Sequence, residues 1–307
     1  MNAIRLIFGY LFVLLIIFGP LSIHAQKSLP ADDFGGLSTH TGARLGDLAI
    51  VDSSMASIKS QGVSVLRIEL QGETALARLD SLLTLTDRHG LTVFVAVPDT
   101  MLVTLPETAL PELVTAAGHR VSAYTVVFTN KVSDDMLFAA FNRLAIATPA
   151  ALHGFSMPNA QHALFRQMMR LPEVDFMGLN FGYMTQRWAS KDRVREAIAH
   201  VFSRMPHLVT QAVNAMELMD KPLLIDFIDY PRDNAFRTPE SSVRMRDNII
   251  HFARHQQQLH SDALRGVFLS SWVGDAESLE WQPTEALYAT DTTTISILTR
   301  KSDGDVQ

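Results

Sequence analysis

Residues 221–229, with the sequence Lys221-Pro-Leu-Leu-Ile-Asp-Phe-Ile-Asp229, decide the fold of this chain. The run that follows Pro222 is apolar except for Asp226, which is typical of a strand buried on both faces. The pattern therefore predicts a buried strand over 222–228 that ends in two carboxylates, Asp226 and Asp229. Polar groups at the end of a buried strand are candidates for a functional site.

Outward from this stretch, short apolar runs rich in β-branched residues alternate with longer amphipathic segments. The apolar runs predict strands, and the segments between them predict crossover helices. The other predicted strands cover residues 34–41, 63–70, 91–97, 123–130, 152–157, 174–180 and 264–272. The predicted helices cover residues 52–61, 74–89, 111–117, 134–147, 161–170, 191–205, 207–219 and 240–259.

Eight β/α units in about 260 residues match the size of a closed (β/α)8 TIM barrel, which is the fold that we expect. An open, doubly wound sheet is the alternative. No Gly-x-Gly-x-x-Gly sequence follows the early strands, so the pattern gives no support to a nucleotide site and we expect no cofactor.

Composition narrows the classes of partner. The chain has 307 residues, of which 47% are hydrophobic, and a net charge of -6. It lacks a basic stripe with interleaved aromatic residues, which argues against a nucleic-acid partner. It has no cysteine, so disulfides and thiolate metal sites are excluded. His251 and His255 are four residues apart on a predicted helix, but we interpret them as part of an exposed face and expect no metal site.

The N-terminus has the architecture of a signal peptide. Arg5 precedes an apolar run over 6–18, Pro20 ends the run, and Ala25 is a small residue at the expected cleavage position. An uncleaved membrane anchor is the alternative, although the run is short for a membrane span. We expect residues 1–25 to be removed and the protein to be exported to the periplasm or the medium. Residues 26–290 then form the barrel, and residues 291–307 form a polar tail.

The active or binding site of a TIM barrel lies at the C-terminal ends of its strands. The residues expected there combine hydrogen-bonding groups with aromatic rings, which is the mixture that sugars require. The candidates are His40, Arg67, Glu69, Asn130, Lys131, Asn180, Tyr183, Asp226, Asp229, Trp272 and Asp275. Pro98, Asp99 and Asn159 also lie at the predicted strand ends. We therefore expect a glycan or oligosaccharide as the partner.

The order of these motifs resembles the TIM-barrel glycoside hydrolases of clan A, which include β-galactosidases, β-glucuronidases and many cellulases. The similar segments are 62–67, 80–97, 174–180 with Tyr183, 221–229, and 266–272 with Asp275, and the likeness covers about residues 33–288. The resemblance implies that Arg67 supports a catalytic nucleophile. It also implies that Trp272 forms the floor of the sugar site.

The chain departs from that family at both catalytic glutamates. Retaining hydrolysis uses two carboxyl groups about 5 Å apart, one as nucleophile and one as acid/base. The family's acid/base follows an asparagine after the fourth strand, where this chain has Asn130 and then Lys131. The nucleophile position falls on Phe227. Strict alternation then places Asp226 on the opposite face of the strand and Asp229 on the same face as Phe227.

Three functions remain open on the sequence alone. The first is a degenerate glycosidase-like barrel that binds a glycan without the retaining mechanism. The second is an active O-glycosidase that uses displaced carboxylates, with Glu69, Asp226 and Asp229 as candidates. The third is a scaffold or partner-binding domain unrelated to carbohydrate. A structural role is also open for two groups, since Arg67 and Glu69 can form an ion pair at the barrel mouth, and Lys131 can pair with Asp229 or Glu69.

Overall fold

The protein forms a closed parallel β-barrel surrounded by helices, as seen in a computed structural model. The structure describes residues 29–30, 34–41, 48–60, 63–71, 75–105, 109–160, 163–181, 194–228, 252 and 255–269. The expected leader over 1–25 and the expected tail over 291–307 lie outside these ranges. None of the helices in the described ranges is both long enough and apolar enough to cross a membrane.

The strands are β1 (Phe34–His40), β2 (Val65–Glu69), β3 (Thr92–Pro98), β4 (Val121–Val127), β5 (Leu152–Met157), β6 (Phe176–Asn180), β7 (Leu223–Ile228) and β8 (Leu264–Leu269). The helices are α1 (Leu48–Ser60), α2 (Ala75–His89), α3 (Asp99–Thr104), α4 (Ala109–Ala117), α5 (Asp134–Ala147), α6 (Ala163–Met168) and α7 (Val194–Glu217). Residues 255–259 are also helical and precede β8.

Closure of the barrel distinguishes the two folds that the sequence allowed. Each strand pairs in parallel with the next along the chain, and β1 pairs with β8 through Phe34 opposite Gly266. An open sheet would leave those two strands as unpaired edges. The (β/α)8 TIM barrel is therefore confirmed, with the strand order that the alternating pattern predicted.

The structure differs from the sequence-based expectations after β3, at the end of β4 and around Pro206. The short helix α3 begins directly after β3, in a segment whose sequence pattern is irregular. β4 ends at Val127, three residues before the predicted end, so Asn130 follows the strand instead of closing it. The two helices predicted on either side of Pro206 are one helix, α7. Pro206 removes one helical hydrogen bond, but the buried face continues past it through Val209 and Val213, and this packing keeps the helix whole.

The apolar core has two parts. The larger part lies between the outside of the barrel and the helices, where residues such as Leu79 and Leu83 of α2 pack among the outward side chains of the strands. The smaller part lies inside the barrel and receives one residue from each strand, and we call it the apolar ring. Its members are Phe34, Val65, Phe94, Ala123, Leu152, Phe176, Leu224 and Phe268.

Glycines on the inner face make room for the aromatic side chains of the apolar ring. A Cβ atom on Gly154 would lie 2.1 Å from the ring of Phe176, and one on Gly266 would lie 2.2 Å from the ring of Phe34. Phe34, Phe94 and Phe268 pack with ring centroids 5.3–5.8 Å apart, within the range that aromatic pairs prefer. The N-terminal part of the barrel interior is therefore filled with side chains and is closed to a ligand.

Candidate functional site

A second layer of inward side chains lies between the apolar ring and the C-terminal mouth, and it is polar. Its members are Ser38, Arg67, Thr125, Ser156 and Asp226, which we call the polar layer. Each shares a strand face with a member of the apolar ring, since residues two or four positions apart point to the same side. All five are buried, with at most 3% of their surface exposed.

Arg67 is the centre of this layer. Its Nη1 donates to Ser38 Oγ at 3.0 Å and to Glu69 Oε2 at 3.0 Å, and its Nη2 donates to Asp226 Oδ2 at 3.1 Å. Burial by itself lowers the pKa of Arg67, but the charges of Asp226 and Glu69 outweigh burial and hold the pKa above its ordinary value. The guanidinium is therefore a fixed cation shared by two carboxylates.

The position of Asp226 corrects one prediction. Strict alternation from an inward Phe227 placed Asp226 on the outer face of β7, and this is wrong, because the Asp226 carboxylate lies inside the barrel against Arg67. Leu224 belongs to the apolar ring, so Asp226 shares its face two residues later. Alternation therefore holds from Leu224 to Asp226, and the error lay in the face of the strand that was assigned to the interior.

Glu69 lies on the mouth side of Arg67, and 20% of its side chain is exposed. Its Oε1 accepts a hydrogen bond from Gln71 Nε2 at 2.8 Å. The backbone N–H of Gln71 donates to Thr41 Oγ1 at 2.7 Å, and that hydroxyl donates to the Gln71 carbonyl at 2.8 Å. These bonds join the ends of β1 and β2 and fix Glu69 at the rim. Arg67 and Glu69 form the ion pair that the sequence left open as one of two alternatives.

Asn130 and Lys131 lie in the connection that follows β4, and both are exposed. Asn130 has a φ of 59°, the left-handed conformation that asparagine tolerates better than most residues. The preceding residue, Thr129, is held by the buried carboxylate of Asp99. Asp99 Oδ1 accepts from Thr129 Oγ1 at 2.5 Å, and Oδ2 accepts from the Thr129 backbone N–H at 2.8 Å.

Asp99 is one of the residues at the predicted strand ends, and it fixes the connection that carries Asn130 and Lys131. It also accepts the backbone N–H of Thr100 through Oδ1 at 2.6 Å, at the start of α3. A carboxylate directly after a buried strand is the sequence signal for such a role. The irregular sequence pattern over residues 98–118 conceals α3, which begins at this carboxylate.

The remaining predicted site residues divide into two groups. His40 is the last residue of β1, and it pairs in register with Glu69 of the neighbouring strand β2. Asn180 is the half-buried last residue of β6. Both strand ends therefore belong to the mouth, where the prediction placed them. Tyr183, Asp229, Trp272 and Asp275 lie outside the described residues, and so does any pairing between Lys131 and Asp229.

A second cluster, formed around His153 of β5, has the residue types of a hydrolytic triad. His153 Nε2 lies 2.7 Å from Thr148 Oγ1, and its Nδ1 lies 3.7 Å from Asp175 Oδ2. The Thr148 hydroxyl donates its proton to the Leu144 carbonyl at 2.8 Å, so His153 Nε2–H must be the donor to Thr148. A histidine that donates to the hydroxyl cannot remove its proton, and this cluster is structural.

Comparison with known proteins supports the fold. Neither a scan of protein-family models nor a search of curated proteins gave a match. Among solved structures, a β-1,4-mannanase from the sea hare Aplysia kurodai is similar, with a TM-score of 0.51, 10% identity and coverage of 90% of this chain and 95% of that one. A β-glucosidase, solved in its apo form, has a TM-score of 0.51 at 12% identity, covering 83% of this chain and 89% of its own.

A trimodular GH5_4 endoglucanase is also similar, with a TM-score of 0.49 and 11% identity over 88% of this chain. This chain spans 61% of that protein's length. The mannanase and the β-glucosidase have the same fold as this chain. At these levels of identity the likeness extends to the fold and does not assign an activity.

Proposed function

We propose that this protein is an exported, glycoside-hydrolase-like barrel that binds a glycan at its C-terminal mouth without the retaining two-carboxylate mechanism. The observation that carries the proposal is the state of Asp226. It is the inward carboxylate of β7, it is fully buried, and one of its oxygens accepts a hydrogen bond from Arg67. A carboxylate in that position supports the barrel wall instead of meeting a substrate.

The chemistry of retaining hydrolysis needs more than the described carboxylates offer. The nucleophile must reach the anomeric carbon, while a second carboxyl group protonates the leaving oxygen. Glu69 is partly exposed, but its two oxygens accept hydrogen bonds from Arg67 and Gln71. At the position of the acid, the resemblance aligns Lys131. An ammonium group on a flexible stem does not replace a carboxylic acid whose pKa is tuned for proton transfer.

Binding needs only the hydrogen-bonding groups that the mouth retains. Glu69 and Asn180 border the barrel interior, and Asn130 and Lys131 extend from the connection after β4. Donors and acceptors of this kind match the hydroxyl groups of a sugar. The neighbours of similar fold include a mannanase and a β-glucosidase, which supports a glycan as the ligand class.

A hydrolase that uses Asp226 is the second candidate, and one observation favours it. The resemblance implies that the arginine of the second strand supports the nucleophile of the seventh, and Arg67 does contact Asp226. An aspartate is one methylene shorter than the family's glutamate. Its carboxylate would therefore have to act from deeper in the barrel.

The decisive experiment measures binding and turnover on the same purified protein. Residues 26–307 are tested against a panel of aryl β-glycosides and against immobilised β-glucan and β-mannan. We expect binding to at least one glycan without release of the aryl group. Glu69→Gln and Lys131→Ala should each weaken binding, whereas Glu112→Gln, which changes an exposed acid on α4, should leave it unchanged.

The same panel identifies the outcomes that contradict the proposal. Turnover that disappears in a folded Asp226→Asn variant would establish the second candidate. Failure to bind any glycan on the panel would remove both candidates and leave the scaffold function. Circular dichroism of each variant distinguishes lost binding from lost folding.

Export is tested separately by expressing the full chain and fractionating the cells. We expect a soluble periplasmic or secreted product whose mass corresponds to a start at Gln26, since Ala25 is at the expected cleavage position. A membrane-bound product that keeps the mass of the full chain would show that the leader is an anchor.

A further inference from the structure

Three buried side-chain oxygens in the polar layer have no hydrogen-bond partner within the described ranges. They are Thr125 Oγ1, Ser156 Oγ and Asp226 Oδ1. The three residues are at most 1% exposed. Buried polar groups in native proteins are almost always satisfied by protein or by ordered water, and a buried carboxylate oxygen is especially costly to leave unsatisfied. Three such atoms in one layer therefore indicate hydrogen-bond partners other than the protein's own side chains.

Two of these atoms belong to side chains that meet above the same glycine. A Cβ atom on Gly178 would lie 2.8 Å from Asp226 Cβ and 3.2 Å from Ser156 Oγ. Gly178 lies on β6, between the strands of the other two residues, so its missing side chain lets Ser156 and Asp226 approach each other. Thr125 faces the interior from β4, opposite Gly154 in register, and the ring of Phe176 fills the space beside that glycine.

We propose that the polar layer binds internal water, held by Asp226 Oδ1, Ser156 Oγ and Thr125 Oγ1. The donors and acceptors balance, because a carboxylate oxygen only accepts while each hydroxyl both donates and accepts. A water molecule donates to Asp226 Oδ1 and accepts from a hydroxyl. Two to four polar partners are what buried waters have in folded proteins.

Water fits this layer better than a metal ion. One carboxylate oxygen and two hydroxyls fall short of the six to eight oxygen ligands that calcium takes. The charge of Asp226 is also already matched by Arg67 at 3.1 Å. A neutral ligand with two protons completes the hydrogen bonding of Asp226 without adding a second cation to the barrel interior.

The test compares two buried threonines by urea unfolding. Thr125→Val removes a hydroxyl that the proposal assigns to water, and Thr86→Val removes a buried hydroxyl that donates to the Leu83 carbonyl at 2.9 Å. We expect both variants, and Ser156→Ala, to lower the urea midpoint relative to the parent. If the Thr125 hydroxyl is unsatisfied, replacing it with an isosteric apolar group is neutral or stabilising, and an unchanged or higher midpoint for Thr125→Val overturns the proposal.

A crystal structure of the protein gives the direct readout. We expect a water within about 3.2 Å of Asp226 Oδ1 and of Ser156 Oγ. A direct hydrogen bond between those two atoms, with no water between them, would overturn the proposal. Replacing sodium with choline in the unfolding buffer should leave the midpoint unchanged, and a midpoint that depends on sodium would assign the layer to a cation. These measurements are independent of any glycan.

Discussion

The two ends of the barrel interior are filled by different kinds of side chain. At the N-terminal end, the apolar ring takes one side chain from each strand and fits large aromatic rings against glycines. Nearer the mouth, the polar layer fills the interior with Arg67, which is held by charge and hydrogen bonds. The ring depends on shape, so many apolar combinations of the same volume could replace it. The polar layer depends on specific partners, because each side chain in it needs a neighbour of complementary charge or hydrogen-bonding capacity.

The largest effect that we expect comes from breaking the polar layer. Arg67→Met leaves Asp226 buried without its cation, and loss of one partner of a buried pair costs about 3–5 kcal/mol of unfolding free energy. The measurement is urea unfolding at neutral pH. The double variant Arg67→Met/Asp226→Leu should recover much of the loss, since apolar replacement of a whole buried pair is often neutral.

A loss of less than about 1 kcal/mol of unfolding free energy for Arg67→Met would contradict this view of the polar layer, because a loss of that size is typical of an exposed ion pair. It would also mean that the polar layer tolerates substitution as the apolar ring does.

Overpacking the apolar ring should have the next largest effect. Gly154→Ala places a Cβ atom 2.1 Å from the ring of Phe176, so the ring must move. We expect a loss of about 1–3 kcal/mol in urea unfolding. Gly154→Ala combined with Phe176→Leu should cost less than the sum of the two single changes, because the smaller side chain relieves the contact. Simple additivity would show that the two sites do not touch.

The apolar core between the barrel and the helices contains a buried group that titrates, the phenol of Tyr124. Burial raises the pKa of Tyr124, on the outer face of β4, so the folded state keeps its phenol protonated. Below pH 10 the tyrosine is neutral in both states and has no effect. Above pH 10 the unfolded chain ionises first, so stability falls by about 1.4 kcal/mol per pH unit from this group. The unfolding free energy, measured from pH 9 to 11, should fall less steeply for Tyr124→Phe than for the parent protein. An identical fall of the unfolding free energy in both proteins would contradict the burial of the phenol.

The smallest effect is expected at the rim of the mouth. Gln71 is exposed, and its side chain donates to Glu69, which is itself partly exposed. Gln71→Ala should change the unfolding free energy by no more than about 0.5 kcal/mol. A thermal or urea midpoint measurement is sufficient. A loss comparable to that of Arg67→Met would extend the polar layer to the rim and remove the contrast between buried support and exposed mouth.

The sequence was sufficient to predict the barrel because eight apolar runs alternate with amphipathic segments, and closure then follows from size. The predicted β3, apolar throughout, matches the observed strand closely. The faces of β7 were harder to predict, because a strand buried on both sides shows no alternation of polar and apolar residues. The inward Arg67 offered a clue that the prediction did not use, since a cation inside a barrel requires a carboxylate and Asp226 lies within an apolar run. Asp99 lies at a predicted strand end, but its partner was not predicted, because Thr129 belongs to another β/α unit and the sequence carries no sign of that contact.

The pairing of β1 with β8 has a consequence for how the chain reaches this structure. Phe34 lies near the start of the described chain and its partner Gly266 near the end, so the hydrogen bonds that complete the ring are among the most distant in sequence. A polypeptide emerging from the ribosome cannot form them until β8 has been synthesised. Until then β1 presents a free edge that can pair with another chain. Folding should therefore be slow and sensitive to protein concentration, and a binding partner for nascent chains would be most useful before the last strand emerges.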